Sequence, residues 1–232
     1  MEFNDLLARE GIRSEDVLVL RHRPSEPRLA KVLPWLAAER PDLFNAYQQT
    51  QRERAEVAFT RSKLVASFIG TAPGRALFVG LYEIGDSTPL TYKAYWDIVA
   101  IQELGELGMR GFQEDDARDV ILWFDLALTD FYAKWKGKLL ISWPPPERSW
   151  WRRSHKNTMP VLAIHEESAL VAGMPEWNEI VLEWKELLVL PERWRQALAQ
   201  WRGIYFICDM ADGMGYVGSA YGDSNILGRW VP

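Results

Sequence analysis

The sequence predicts an α+β protein: N-terminal short helices, then a mixed β-barrel-like region, then a C-terminal β-hairpin that leads into the start of a helix. Three observations predict this class. Over residues 1–60, Leu and Ala recur at three- and four-residue spacing, as in Leu29, Val32, Leu33 and Leu36, the period of a helix with one apolar face. From Lys63 the pattern changes to short runs dense in β-branched and aromatic residues with turn residues between them, the pattern of strands. Near the C-terminus, IYFIC and GYVGSA flank the turn-rich segment 209–215, as in a hairpin.

In chain order, the first sixty residues predict three or four short helices. Pro24, Pro27, Pro34 and Pro41 divide them, since each lacks a donor N–H and restrains the residue before it. LVASFIG and ALFVGLYEIG, joined by Thr71-Ala72-Pro73-Gly74-Arg75, read as two strands of one hairpin. Further strands at 119–127, 137–143 and 160–165 complete a small barrel or sandwich over residues 60–170. Residues 175–202 read as two helical pieces divided by Pro191, with Trp177, Trp184, Trp194 and Trp201 at spacings of seven, ten and seven. A seven-residue step returns to nearly the same helix face, so these pieces are expected to present a Trp-rich packing face and to cover the hairpin that follows. The chain thus divides into 1–174, a connector at 175–202 and a terminal segment at 203–232.

At 232 residues, 48% hydrophobic and 25% charged, with 16 Gly and 13 Pro, the composition is globular and excludes collagenous or low-complexity chains. The length gives room for one large domain, or one domain and part of a second. A net charge of -5 excludes a protein coated in positive charge, such as a histone-like binder. The one cysteine, Cys208, has no partner for an intramolecular disulfide. His22, His155 and His165 lie too far apart for a helical metal pair, and no metal-ligating residue is assigned. The start MEFNDLLARE lacks the basic end and apolar run of a signal peptide, and no stretch approaches the ~18 apolar residues of a membrane span. No membrane partner and a cytoplasmic location are therefore expected.

The charge is segregated. Residues 103–130 carry eight acids and two bases, residues 131–156 seven bases and one acid, and residues 163–192 seven acids and one base. This basic island is interleaved with tryptophan, of which the chain has 12. Lys134, Lys136, Lys138, Arg148, Arg152, Arg153 and Lys156 can neutralise phosphates, and Trp143, Trp150 or Trp151 can stack on a base or fill a groove. Gly70-Thr71-Ala72-Pro73-Gly74-Arg75 is not a phosphate-cradling P-loop, because the Gly-Lys-Ser/Thr ending is missing.

The last thirty residues carry three short blocks: Gly203-Ile204-Tyr205, Tyr216-Val217-Gly218 and Gly228-Arg229-Trp230. The hairpin holds both tyrosines, and Asp223 or Ser224 is expected to cap a helix that begins near Asn225 and presents Arg229. Two phenols and a guanidinium suit an anionic phosphodiester. The guanidinium binds phosphate oxygens in pairs and stays charged, and a phenol positions water or accepts its proton. Hydrolysis further calls for a divalent ion held by at least one carboxylate.

GIY, ten intervening residues, YVGSA and then GRW resemble the catalytic module of the GIY-YIG endonuclease superfamily, which includes homing endonucleases, repair nicking enzymes and some restriction enzymes. The resemblance covers residues 203–230. It implies that Tyr205 is the general base or water-orienting phenol, that Tyr216 helps hold the nucleophile and phosphate, and that Arg229 stabilises the developing charge. Gly203 and Gly218 would serve close packing around the hairpin. It also implies Mg2+ or Mn2+ as the cofactor of the complete module, held by a glutamate from helices beyond the Arg-bearing one. Here the sequence stops at Val231-Pro232, so the expectation is an incomplete GIY-YIG α/β module that binds no ion of its own and does not cleave DNA as it stands.

With that module attached, 1–174 becomes a candidate DNA-recognition domain and the expected partner is DNA; the sequence assigns no oligomeric state. The strand-rich region is also similar to PUA-like barrels, some of which read modified bases, and this would make Tyr82, Tyr95, Trp96 and Trp143 a cage for an extruded base. The functional expectation is a DNA endonuclease, restriction- or repair-like, whose N-terminal domain chooses the site. The alternative is a non-catalytic DNA- or protein-binding module with a vestigial nuclease motif.

Overall fold

The apolar runs of the first 170 residues become strands of one sheet, and the amphipathic segments between them become the helices that cover it. The computed structural model describes residues 1–171, 173–222 and 225–231. The chain divides into two units, Met1–Ala172 and Gly173–Pro232.

The first unit runs α1 (Phe3–Arg9), β1 (Val17–His22), α2 (Pro27–Glu39), α3 (Pro41–Gln48), α4 (Glu53–Phe59), β2 (Leu64–Ala72), β3 (Arg75–Thr91), α5 (Tyr92–Trp96), α6 (Val99–Glu106), β4 (Val120–Leu128), β5 (Leu139–Ser142), β6 (Trp151–Arg153) and β7 (Val161–Ile164). The strands form one curled, half-barrel sheet in the order β6-β1-β2-β3-β5-β7, with β4 on β3 as a branch. β1 and β2 are parallel, Val17 opposite Leu64 and His22 opposite Ile69, and the other pairs are antiparallel. The molecule is therefore mixed α and β. Among the described residues no helix is long and apolar enough to cross a membrane.

The expected β2–β3 hairpin forms, turning at Pro73-Gly74, where Gly74 takes a φ of +65°. β3 runs on to Thr91, further than its sequence pattern predicts. Its first half pairs with β2 and β5 and its second half with β4. Phe3, Phe68, Phe78 and Phe131 meet in the core on one face of the sheet, together with Val17, Val19, Ile141 and Trp143. α3 packs on the other face, where His22 touches Phe44 and Tyr47 at ring-centroid distances of 5.3 Å.

Two expectations for residues 1–60 need correction. The segment is not helical throughout, because Val17–His22 is a strand buried at every position. A continuous apolar run shows neither the helical nor the alternating period, so periodicity cannot separate a fully buried strand from a helix. Nor does Pro34 divide a helix: it lies inside α2, while Pro27 and Pro41 stand at the first turns of α2 and α3. Burial of Val32, Leu33, Trp35, Leu36 and Ala37 offsets the roughly 3 kcal/mol penalty of an internal proline.

The second unit contains α7 (Trp184–Leu187), α8 (Glu192–Gln200), β8 (Gly203–Cys208), β9 (Gly215–Ala220) and α9 (Asn225–Trp230). The Trp-rich helical face does not form. Trp177 lies in a turn before α7 and is exposed, Trp184 is half exposed, and Trp194 is buried in α8. Short segments rich in Glu and Pro bury too little apolar surface to nucleate a helix, so the seven-residue spacing has no common axis to act on. α8 instead supports α9: Asn225 Nδ2 donates to the Ala199 carbonyl at 2.9 Å, and Ile226 N donates to the Trp201 carbonyl at 3.1 Å. These bonds satisfy carbonyls that the end of a helix leaves open. The expected cap at Asp223 or Ser224 lies outside the described residues.

Candidate functional site

The hairpin register decides which side chains share a face. Gly203 pairs with Ala220, Tyr205 with Gly218 and Ile207 with Tyr216. Cross-strand partners share a face and residues two apart along a strand repeat it, so Tyr205 and Tyr216 point to the same side. Their ring centroids are 6.1 Å apart with the planes at 49°. Gly218 makes this possible, because a Cβ there would strike the Tyr205 ring and come within 2.8 Å of Tyr216 Cε1. At Gly203 the space is open and the requirement is conformational, a φ of +156°. The hairpin closes through two Asp side chains that accept from the turn backbone, Asp209 from Ala211 N and Asp212 from Met214 N, each at 2.8 Å.

Tyr205 is buried and Tyr216 is 60% exposed, so the pair has one inner and one solvent-facing phenol. Burial raises the Tyr205 pKa, and the charge of Tyr216 and a hydrogen bond to it raise it further, while Arg229 of α9 pulls it down. Tyr205 is therefore a neutral phenol at ordinary pH that senses the Arg229 charge. Such a group donates a hydrogen bond to an anion or to water, and it becomes a proton acceptor only if more positive charge arrives.

Tyr205 and Tyr216 share one face of the hairpin, and Arg229 of α9 lies near enough for its charge to act on Tyr205. Two phenols and a guanidinium are not a donor set for a hard divalent cation, which takes carboxylate and carbonyl oxygens. No cluster of three or more His, Cys, Asp or Glu suited to a metal occurs among the described residues. Tyr205, Tyr216 and Arg229 thus do not by themselves fit Mg2+ or Mn2+.

The basic island, continuous in sequence, separates in space into two groups. Lys134, Lys136 and Lys138 lie around the start of β5, whereas Arg148, Trp150, Arg152, Arg153 and Lys156 lie around β6, and β1, β2 and β3 stand between those strands in the sheet order. Lys138 Nζ donates to the Glu166 carbonyl at 2.7 Å, and burial lowers the pKa of Lys136. Arg152 donates to the carbonyls of Pro144 at 3.2 Å and Pro146 at 2.9 Å. Arg21 and Arg152 lie against the Trp143 ring, 5.0 and 5.9 Å from its centroid. These contacts hold the loop 144–150. Arg153 is half-buried in β6, while Lys134, Arg148 and Lys156 are exposed.

The aromatic cage does not form. Tyr82, Tyr95 and Trp143 are buried in separate places: Tyr95 packs edge-on against Trp96 and Phe112, Trp143 is enclosed by two guanidinium groups, and burial pushes the Tyr82 and Tyr95 phenols up to about 12. Core packing has taken the ring faces that a base would need.

An open cleft of about 410 Å³ lies instead beside β6, lined by Arg52, Glu53, Arg54 and Ala55 on one side and Arg148, Ser149, Trp150 and Trp151 on the other. Arg148 and Trp150 were expected from the basic island. Arg52 and Arg54 were not, because in QRERAE they read as an ordinary charged helix face and only the tertiary fold brings them opposite the tryptophans. Compared with known proteins, the chain matches no family model, no curated protein and no solved structure.

Proposed function

We propose that this chain is a GIY-YIG-type DNA endonuclease-like protein, in which β8, β9 and α9 form the module that engages the phosphodiester and the first unit selects where it acts. The observation that carries this reading is the pairing of Tyr205 and Tyr216 on one face of the hairpin, with Arg229 following on α9 where its charge acts on Tyr205, in the chain order of the GIY, YVG and GRW blocks. Arg229 sets a permanent charge against the phosphate oxygens and stabilises charge that develops there. Tyr205, neutral because it is buried beside Tyr216, orients the attacking water by a hydrogen bond. The solvent-facing Tyr216 meets the incoming strand. Gly218 keeps the two rings together.

The first unit brings the DNA through its two basic groups. Phosphate contacts of this kind fix position on a duplex and weaken steeply with added salt.

The reading is tested on supercoiled plasmid with Mg2+ or Mn2+, following both retention in a gel and nicking, for wild type, Tyr205→Phe and Arg229→Ala. Retention or nicking that depends on Arg229, with nicking where present also lost in Tyr205→Phe, is the expected outcome. Plasmid retained and cut alike by all three proteins would overturn it.

A further inference from the structure

A cleft lies beside β6 in the first unit. Its two walls are brought together by the fold from segments almost a hundred residues apart. On one wall, Trp151 is held in the sheet opposite Leu20, and the carbonyl of Trp150 accepts from Arg21 N at 2.7 Å. Ser149 accepts from Trp143 Nε1 through its carbonyl at 3.0 Å and donates through Oγ to the Trp151 carbonyl at 3.0 Å. Arg152 ties the same loop to the carbonyls of Pro144 and Pro146, as a positioning residue. The tryptophan wall is therefore fixed before any ligand arrives. On the other wall, Arg52 and Arg54 are exposed at the start of α4. Neither they nor Arg148 have an ion-pair partner among the described residues, and the cleft contains one acid, Glu53, against three arginines.

We infer that this cleft is a nucleotide subsite: it takes one unstacked nucleotide, the base against the Trp150–Trp151 wall and the phosphate on Arg54 and Arg148. The partly exposed indoles that line the cleft supply flat faces on which any base stacks, and unpaired guanidinium groups supply bidentate phosphate donors. A volume of about 410 Å³ lies in the range that a small ligand fills. This inference rests on the DNA reading for its source of nucleotides, an unpaired strand, while the chemistry of the cleft also accepts a free mononucleotide.

The test is anisotropy of the full chain with a fluorescein-labelled oligothymidylate, with the same strand as a blunt duplex, and with dTMP as competitor. The single strand should bind more tightly than the duplex, and the double change Arg54→Ala, Arg148→Ala should lower single-strand affinity by about tenfold while weakening the duplex, which keeps its other phosphate contacts, far less. Both side chains are exposed, so the variant retains its fold. Trp150→Ala should weaken the single strand and Trp150→Phe should preserve it. Displacement only by a large excess of dTMP assigns the strand as source, and displacement at matching concentration assigns the free nucleotide. Equal loss of single strand and duplex in the arginine variant, or no loss of either, would overturn the subsite and leave the DNA reading standing. Binding of dTMP without binding of either DNA form would remove the DNA reading and leave the subsite.

Discussion

The two sheets of this molecule differ in how much of their surface is covered. In the first unit β1 is buried at all six positions, with the phenylalanine core on one face and α3 on the other. In the β8–β9 hairpin only Tyr205 and Ala220 are buried, and Ile204, Phe206 and Val217 are exposed at 76, 62 and 66%. The first sheet is a scaffold with its own core, whereas a two-stranded sheet is marginal unless other elements support it. Tyr205 and Tyr216, the two phenols of the proposed site, fall on the less covered sheet, where local opening is easiest.

The comparison breaks most readily at the cores. Phe78→Ala should cost about 3–5 kcal/mol in chemical denaturation, because it opens a cavity among Phe3, Phe68 and Phe131. Phe206→Ala on the hairpin should stay within about 0.5 kcal/mol. Similar values for the two would remove the distinction.

The next effect belongs to His22, buried in the first unit. Its pKa is pulled down to about 4 by burial, with a hydrogen bond to Gln48 opposing. The unfolded chain titrates near the ordinary 6.5 and so binds the proton more readily than the folded one. Stability is therefore complete above pH 6.5 and falls as pH drops toward 4, by about 3 kcal/mol in all. Denaturation midpoints across that window should show the slope, and His22→Asn should flatten it; a pH-independent wild type would contradict the burial.

A smaller effect is expected at Gly218. Ala there drives a methyl into the Tyr205 ring and should cost about 1–3 kcal/mol, read as faster amide exchange along β8 and β9. Unchanged exchange would mean that the phenols are not packed through this position.

The sequence disclosed the two units unequally. The β2–β3 hairpin and the β8–β9 hairpin were legible because Pro73-Gly74 and the Asp- and Gly-rich turn at 209–215 interrupt runs of strand-forming residues. β1 was not, since its VLVL run is continuously apolar and has no period. In the candidate site, Tyr205, Tyr216 and Arg229 stand out through short blocks at fixed spacing. The second wall of the cleft does not, because nothing in Arg52-Glu53-Arg54 indicates which loop will face it. The Trp143 cage misled for a related reason: aromatic residues that look available in sequence are also those that a core takes first.

The most direct test of the central claim is carbon-13 NMR of the tyrosine rings in the full chain during titration with duplex DNA, for wild type and Arg229→Ala. The account predicts that the Tyr205 and Tyr216 resonances move together as DNA binds to wild type, and that in Arg229→Ala they stay in place at the same DNA concentration. DNA that binds to wild type while both resonances remain unmoved would contradict it.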